Sequence, residues 1–129
     1  MDLSKYDNSE YYPGAGIIKR TIWYFVNALI IHSWLFPHSG MKCLLLRLFG
    51  AKIGSGVVIK PRVNIKYPWN LYIGNHVWLG EGCWIDSLAK VKIGSNVSIS
   101  QDAYLLTGNH DYKDPEFKLI TSEITIEDG

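Results

Sequence analysis

Large aliphatic residues recur at every sixth position from residue 53 onward. They stand in three sets that are 20 residues apart, and each set opens with the dipeptide Ile-Gly. Most of them are followed four positions later by a small residue, such as Val57, Val77 or Val97. The aliphatic positions are Ile53, Ile59, Ile65, Ile73, Leu79, Ile85, Ile93, Ile99 and Leu105.

This six-residue period predicts a β-solenoid. It matches neither the 3.6-residue period of an α-helix nor the strict alternation of a hairpin ladder. Short strands joined by tight turns, three to a coil and stacked about 4.8 Å apart, do fit the period. The aliphatic side chains then point inward, and we expect the glycine that follows each opening isoleucine to supply conformational freedom for a turn.

The residues before the repeat predict a helical cap. An open solenoid end exposes core side chains and unpaired strand edges, so it needs a cover. The apolar stretch of residues 17–34 predicts one helix, and residues 41–49 predict a shorter one that ends at Gly50. The chain is therefore one structural unit, with a helical cap over residues 1–50 and a mainly β solenoid over residues 51–129.

The repeat is interrupted after Leu105. The next aliphatic residue in phase is Ile126, which comes 13 residues later than the spacing predicts. Residues 109–123 therefore predict a loop that leaves the solenoid, and long loops on a rigid scaffold often carry function. The sequence stops at residue 129, four residues into a new hexad, so we expect further C-terminal coils to be missing.

The tripeptide Gly-Asn-His occurs twice, in two different settings. His76 occupies a turn within an uninterrupted hexad, where we expect an ordinary exposed side chain. His110 stands where the coil is abandoned, between Asn109 and Asp111. His110 is therefore the candidate for chemistry, and a structural hydrogen bond made by a loop histidine is the alternative.

Composition and charge narrow the classes of protein. With 47% hydrophobic and 19% charged residues, the chain suits a folded globular protein. A net charge of +1 gives no strong field, so nucleic acid is not an expected partner. Cys43 and Cys83 show neither metal spacing nor a disulfide framework, and the polar first residues show no secretory signal. These features favour a cytoplasmic location.

The apolar stretch before the repeat also raises the question of a membrane. Residues 21–41 contain no charged side chain. As a helix, the continuous apolar part at residues 22–36 would reach about 22 Å, short of the roughly 30 Å hydrocarbon layer. A buried or capping helix is favoured, and a peripheral membrane contact through residues 17–36 stays open.

Three further candidates have simpler structural interpretations. A metal site is weakly supported, because the loop holds one histidine and no second ligand at metal spacing. Cys83 occupies a small inward position, which indicates a core residue rather than a nucleophile. Trp78 and Trp84 stand one hexad apart on outward positions and can pack on each other, on a sugar or, as the favoured interpretation, on a neighbouring subunit.

The Ile-Gly-x-x-Val hexads, the motif TGNHDYKDP and the segment LLLRLFGAKIGSGVVIKPRVNIKYPWNLYIG together resemble the hexapeptide-repeat acyltransferases. Among these, the chain is most similar to the WcaF-type group of sugar O-acetyltransferases in colanic acid biosynthesis. The resemblance runs from about residue 12 to residue 129. It implies a left-handed parallel β-helix, a homotrimer with active sites between subunits, and acetyl-CoA as the acetyl donor.

The resemblance also implies that His110 is catalytic. Its neutral imidazole would take a proton from a sugar hydroxyl as that oxygen attacks the thioester, for a gain of roughly 10²–10⁴-fold. The other ring nitrogen needs a carboxylate or carbonyl partner, for which Asp111, Glu81 and Asp86 are candidates. Sugar hydroxyls need directional polar contacts, and the candidate substrate-binding residues are Asp86, Glu81, Asn109 and Asp111.

The expected function is therefore acetyl transfer from acetyl-CoA to a sugar hydroxyl, in exopolysaccharide or cell-surface glycan biosynthesis. A truncated, non-catalytic solenoid that retains only fold and assembly is the alternative from another class, and the missing coils favour it. The γ-type carbonic anhydrases are also left-handed β-helices. They need three histidine ligands, and the single loop histidine disfavours them.

Overall fold

The computed structural model describes residues 2–129, and two helices precede the strands. Helix α1 spans Ile17–Val26 and continues as a π-helical segment at Asn27–Ile31, and helix α2 spans Ser39–Leu48. Short 3₁₀ turns lie at Leu3–Lys5 and Pro68–Asn70. Both predicted helices are confirmed, although the first ends earlier than residue 34 and changes to π geometry in its last turn. No helix within residues 2–129 has the length and apolar character needed to cross a membrane.

Twelve strands of two or three residues follow within the described part of the chain. Branched aliphatic residues predominate in them, in keeping with their preference for pleated, half-buried surfaces. The strands are β1 (Lys52–Ile53), β2 (Val58–Ile59), β3 (Asn64–Ile65), β4 (Leu71–Ile73), β5 (Trp78–Leu79), β6 (Trp84–Asp86), β7 (Val91–Ile93), β8 (Ser98–Ile99), β9 (Tyr104–Leu106), β10 (Gly108–His110), β11 (Leu119–Thr121) and β12 (Ile124–Ile126).

Most strands belong to three parallel sheets. The first sheet has the order β1-β4-β7-β12, the second β2-β5-β8 and the third β3-β6-β9. Each of the strands β1 to β6 pairs with the strand 20 residues further on, as in Ile53 with Ile73 and Ile73 with Ile93. Each 20-residue unit thus gives one strand to each sheet, so the first, second and third units start near residues 51, 71 and 91. This mainly parallel architecture is compatible with a β-helix.

The core lies between the three sheets and beneath the helices. The repeated aliphatic side chains are buried or nearly so, and their strand neighbours face outward, as expected for a period of two within each strand. Val77 and Cys83, which occupy the small inward positions, are fully buried. The buried repeat aliphatics are Ile59, Ile65, Ile73, Leu79, Ile85, Ile93 and Ile99.

Glycine is required after each opening isoleucine, but not for the turn that the sequence predicts. Gly54, Gly74 and Gly94 do not adopt a left-handed backbone; that conformation falls two residues later, at Gly56, His76 and Asn96. A Cβ on Gly74 would lie 2.7 Å from the backbone nitrogen of Ser95 in the next unit. Glycine is therefore required here by the close approach of the neighbouring unit, not by the turn.

The helices cover the free edge of the first unit. Every one of the three sheets has an unpaired edge there, and side chains from the helical region supply its hydrogen-bond partners. The contacts are Trp23 Nε1 donating to Ile65 O (2.9 Å), Asn27 Oδ1 accepting from Ile65 N (3.3 Å), Ser39 Oγ accepting from Ile59 N (2.9 Å), Lys42 Nζ donating to Ile59 O (3.3 Å) and Arg47 Nη2 donating to Gly54 O (2.8 Å).

The third unit ends in a hairpin instead of a simple turn. Strands β10 and β11 are antiparallel, with Gly108 opposite Thr121 and His110 opposite Leu119. The chain then returns to the first sheet, where β12 pairs with β7 and Ile126 lies opposite Ile93, the phase predicted from the sequence. The predicted loop at residues 109–123 is thus largely a hairpin, and it stands where the chain passes from the third sheet to the first.

Candidate functional site

Two aspartates shape the turn of the hairpin. The Asp111 carboxylate accepts a hydrogen bond from the Lys113 backbone N–H at 3.0 Å, and the Asp114 carboxylate accepts one from the Glu116 N–H at 2.8 Å. Aspartates favour such turns because their short carboxylates reach backbone N–H groups two residues on. The side chain of Asp111 is therefore engaged in the turn and does not hold the ring of His110.

The ring of His110 is held by a backbone carbonyl. Its Nδ1 lies 3.2 Å from the carbonyl oxygen of Phe117 across the hairpin. Because a carbonyl oxygen can only accept, the hydrogen bond requires a hydrogen on Nδ1 and leaves the lone pair on Nε2. This tautomer is the one in which Nε2 can take a proton from a substrate. The partner sought for the second ring nitrogen is thus a carbonyl, and none of the three candidate carboxylates.

Two aromatic rings fix the orientation of the His110 imidazole. The Phe117 ring stacks on it, with the ring centroids 4.5 Å apart and the planes 7° from parallel. The Tyr6 ring meets it edge-on, with a centroid distance of 5.4 Å. Phe117 has a left-handed backbone, with φ of 55°, which costs energy for a residue with a Cβ. Nothing in the sequence pattern points to Phe117 or Tyr6 as partners of His110.

The N-terminal residues pack against the hairpin. The Asp2 backbone N–H donates to the carbonyl of Pro115 at 2.9 Å. The Tyr11 hydroxyl donates to the carbonyl of Leu88 at 2.6 Å, beside the same corner. A cavity of about 140 Å³ separates residues 7–11 from Glu116, Lys118 and Leu119. The beginning of the chain therefore forms one wall of the site around His110, in addition to any role in the cap.

Asp86 lies at the corner from which the hairpin leaves. It ends β6 and pairs with Leu106, the last residue of β9. Partial burial raises the pKa of its carboxyl above the ordinary 3.8, and the nearby Lys66 amine opposes that rise. The pKa of Tyr11 is raised to about 12, first by burial and then by the charges of Tyr67 and Asp86. Asp86 is thus a half-buried carboxylate in a polar, aromatic corner.

The remaining candidate residues are placed differently. Asn109 is exposed, and its side-chain oxygen accepts from the backbone N–H of His110 at 2.8 Å. Glu81 is exposed at the turn between β5 and β6, which joins the second sheet to the third. One chain therefore brings His110, Asn109 and Asp111 together in the hairpin, with Asp86 at the same corner and Glu81 at another.

A groove runs along the outer face of the third sheet, beneath α1. It has a volume of about 560 Å³, and its lining contains basic and aromatic side chains and no carboxylate. Among its residues are Arg20, Tyr24, His32, Lys66 and Trp84. Strand β9 of the same sheet leads directly into the hairpin. The groove and the His110 hairpin therefore share one side of the molecule.

The two outward tryptophans do not contact each other. Trp78 lies on the second sheet with the Lys60 amine 5.6 Å from its ring centroid. Trp84 lies on the third sheet and packs edge-on against Tyr104 at 5.7 Å. Of the three interpretations of this pair, mutual packing is therefore wrong, and contact with a sugar or a neighbouring subunit stays open.

Cys83 is fully buried, and burial raises the pKa of its thiol to about 11. A thiol in that state is a poor nucleophile at neutral pH, so Cys83 has the properties of a core residue. Among residues 2–129 no group of three or more histidine, cysteine, aspartate or glutamate side chains is arranged to hold a metal ion.

Comparison with known proteins first gives a class, the bacterial acetyltransferases. The protein named "Putative colanic acid biosynthesis acetyltransferase WcaF" from Escherichia coli (strain K12) is 37% identical over 133 aligned residues, which cover 98% of this chain and 69% of the relative. The protein of that name from Shigella flexneri matches with the same figures. The chain therefore belongs to the WcaF acetyltransferase family.

A shorter match covers part of the chain. Nodulation protein L of Rhizobium meliloti (strain 1021) is 36% identical over 73 residues, which is 57% of this chain and 39% of that protein. No family model and no solved structure matches the chain.

Proposed function

We propose that the chain is an O-acetyltransferase that moves an acetyl group from acetyl-CoA to a sugar hydroxyl, in the biosynthesis of an exopolysaccharide or another cell-surface glycan. The observation that carries the proposal is the orientation of His110, whose Nδ1 faces the Phe117 carbonyl and whose Nε2 is left to act as a base. Membership of the WcaF family supports the reaction class. The two buried cysteines, neither in a disulfide, suit the cytoplasmic location that the proposal requires.

The proposed chemistry is a direct transfer. The sugar hydroxyl attacks the thioester carbonyl while Nε2 of His110 takes its proton, and the carbonyl π electrons move onto oxygen. Backbone N–H groups stabilise the resulting oxyanion. When the oxyanion collapses, the carbon–sulfur bond breaks, and the imidazolium returns its proton to the CoA sulfur. The Phe117 carbonyl stabilises the imidazolium between these two steps, because its hydrogen bond from Nδ1–H is stronger when the ring is charged than when it is neutral.

Acceptor contacts belong to the same proposal. Asp86 is favoured among the four candidates because it is a half-buried carboxylate at the hairpin corner, where a directional hydrogen bond to a hydroxyl is strengthened. Glu81 is exposed and its side chain makes no hydrogen bond within residues 2–129, whereas Asn109 is exposed with its side-chain oxygen on the His110 N–H and its amide nitrogen left for a ligand. The Asp111 carboxylate already accepts a hydrogen bond from the Lys113 backbone N–H, so we expect Asp111 to contribute least to binding of the acceptor.

We also propose a left-handed winding of the three sheets and a homotrimer with active sites between subunits. The strand order, in which each unit visits the three sheets in turn, supports a continuous β-helix. Exposed aromatic side chains on the sheet faces, Trp78, Trp84 and Tyr104, supply surface for subunit contacts. A site at such an interface would also allow Glu81 of one subunit to approach the hairpin of the next.

The function is tested by incubating the purified chain with acetyl-CoA and a panel of neutral and acidic oligosaccharides. Release of CoA thiol is followed, and products are examined for the mass gain of one acetyl group. The proposal expects release that depends on both acceptor and protein. If no acceptor in the panel supports release and the chain does not bind acetyl-CoA, the result favours the non-catalytic alternative instead.

A further inference from the structure

The outer face of the helical cap is apolar and uncovered. We use "cap surface" for the exposed apolar side chains of residues 17–48. Ile18 is 74% exposed, Leu29 65%, Trp34 71% and Leu48 70%. These side chains lie on the opposite side of the helices from the first unit, because the inward side of the helices is occupied by hydrogen bonds to that unit's edge. Such a concentration of exposed apolar residues marks an interaction surface.

Helix α2 carries apolar side chains on its outward face as well as on its inward face. Met41, Leu44 and Leu48 form an outward stripe with the three- and four-residue spacing of one helix face. The one lysine of the helix, Lys42, is fully buried on the inward side, where its amine donates to carbonyls of Ile59 and Lys60. Cys43 and Leu46 are buried on the same inward side, so α2 presents apolar side chains both to the core and to the outside. A helix with an apolar outer stripe in addition to its core-facing side is suited to an apolar medium outside.

The charges around the cap surface are all of one sign. Residues 11–80 contain eight lysines and arginines and no aspartate or glutamate. Four of these cations, Lys52, Lys60, Arg62 and Lys66, are exposed on the first unit, the one that the cap covers. The amines of Lys60 and Lys66 lie towards Trp78 and Asp86 of the second unit, so Lys52 and Arg62 are the two of these four for which residues 2–129 show neither an ion pair nor a cation–π contact. The acidic residues stand at residues 2–10 and from Glu81 onward. An apolar face bordered by cations is the pattern of a protein that lies on an anionic bilayer.

We propose that the cap surface binds peripherally to a membrane that contains anionic lipids. The apolar side chains enter the boundary between headgroups and acyl chains, and the cations of the first unit contact the headgroups. At 10 residues, helix α1 reaches only about 15 Å, which suits a position in the plane of the interface. A second copy of the chain fits less well, because pairing two cap surfaces would bring two sets of cations together without a counter-charge.

This orientation also determines where His110 lies. The hairpin follows the third unit, and the cap covers the first, so two strand spacings of about 4.8 Å each separate their levels. The hairpin is then held roughly 10 Å above the level of the first unit. The membrane contact itself is independent of the proposed acetyl transfer and can be tested without it.

The test is co-sedimentation of the full chain with vesicles made of equal parts phosphatidylcholine and phosphatidylglycerol. Binding is expected to these vesicles, to fall several-fold in high salt, and to be much weaker with phosphatidylcholine alone. Leu44→Glu should reduce the bound fraction at least tenfold. Leu106→Glu is the matched control, because both leucines are 55% exposed, and it should leave binding unchanged. Circular dichroism verifies that both variants fold.

Three outcomes would overturn the proposal. The first is the absence of binding by the wild-type chain to the anionic vesicles. The second is an equal loss of binding in Leu44→Glu and Leu106→Glu. The third is that the wild-type chain forms an oligomer in solution that Leu44→Glu dissociates, which would make the cap surface a contact between copies.

A second measurement needs only conservative variants. Brominated phospholipids quench tryptophans that enter a bilayer, so bound wild-type chain should show quenching that disappears in Trp34→Phe and persists in Trp78→Phe. Trp34 lies in the cap surface and Trp78 on the second sheet, and both are exposed. Quenching that persists in Trp34→Phe and disappears in Trp78→Phe would contradict the proposed orientation.

Discussion

The two Gly-Asn-His tripeptides differ through the backbone on which each histidine stands. His76 has φ of 55° and occupies the left-handed turn position that Gly56 and Asn96 fill in the neighbouring units. His110 lies in a strand, opposite Leu119, with Phe117 close enough for both a hydrogen bond and ring stacking. The tripeptide therefore does not orient its histidine by itself, and the imidazole of His110 is oriented by the hairpin together with Tyr6.

We propose that Phe117 is a positioning residue, which acts through His110. In Phe117→Asn the carbonyl remains and asparagine tolerates the left-handed backbone, but the stacked ring is lost. We expect kcat/KM for acetyl transfer to fall by up to about tenfold, the equivalent of one aromatic pair, with a changed pH profile. Steady-state rates measured from acid to alkaline pH provide the test. An unchanged rate and profile would mean that the ring has no part in orienting His110.

The carboxyl of Asp86, at the candidate site, is expected to make the folding stability of the chain depend on pH. Burial raises the pKa of its carboxyl above 3.8 in the folded chain, so the folded state holds the proton more tightly than the unfolded state does. The associated stability is fully present below pH 3.8 and is lost as the pH rises through the folded-state pKa. We expect Asp86→Asn to raise the melting temperature at neutral pH by less than about 3 °C. At acid pH the two proteins should melt alike. Scanning calorimetry at both pH values is the measurement, and a lower melting temperature for the variant at neutral pH would contradict the account.

At the scale of elements, the helices complete the hydrogen bonding of the first unit. Unpaired edges of parallel sheets invite association with other chains, and here Trp23, Asn27, Ser39, Lys42 and Arg47 satisfy them from the helical region. The cap is thus joined to the sheets by directional contacts as well as by apolar packing. Its outer face is then left free for another partner.

The pH dependence of the unfolding free energy reports on the burial of Lys42 in the cap. Burial lowers the pKa of its amine below 10.5, so the unfolded chain binds this proton more tightly than the folded chain. Stability from this group therefore rises with pH between the lowered pKa and 10.5. In Lys42→Met that rise should be absent. Urea unfolding of both proteins across this range gives the difference in their unfolding free energies, and a difference that does not change with pH would count against a buried, charged Lys42.

Much of the element pattern could be predicted from the sequence, because the register follows from the period. Ile53, Ile73 and Ile93 pair across sheets at the 20-residue spacing of their sets. The sequence pattern assigns the glycine after each opening isoleucine to a turn, whereas the close approach of the next unit is what requires glycine there. Its true reason depends on contacts between units, which the local sequence does not contain.

The site was less predictable than the sheets. The position of His110 follows from the break in the repeat, but its partner is a backbone carbonyl. Every residue has such a carbonyl whatever its side chain, so the sequence does not indicate which one His110 contacts. The contact with Tyr6 joins residues more than 100 positions apart, and no periodic pattern extends into residues 2–12. The hairpin at residues 108–121 contains turn hydrogen bonds that the Asp111 and Asp114 carboxylates accept from backbone N–H groups, and composition alone does not reveal them.

At the scale of the whole molecule, charge and apolar surface are separated along the chain. Cations and the cap surface occupy the end formed by residues 11–80, and carboxylates follow from Glu81 onward. The aromatic side chains of the sheet faces are a separate surface, which we assign to subunit contacts. We therefore expect the molecule to use one surface for assembly and another for an anionic partner.

The assembly is expected to be a homotrimer. Sedimentation velocity of the chain should give a mass of three times 14.7 kDa, because the exposed faces of the sheets are otherwise left in water. Trp84→Ser, which removes an exposed ring from the third sheet, should weaken that assembly, and Trp34→Ser in the cap should not. A monomer at all concentrations would contradict the trimer and any site shared between subunits.

The central claim is that His110 is the base for acetyl transfer, and a matched pair of variants tests it most directly. His110→Asn and His76→Asn make the same change in the same tripeptide, and asparagine is tolerated at the left-handed position of His76. Acceptor-dependent CoA release should fall about 10²–10⁴-fold in His110→Asn and stay near the wild-type rate in His76→Asn. Near-normal release by His110→Asn would contradict the account.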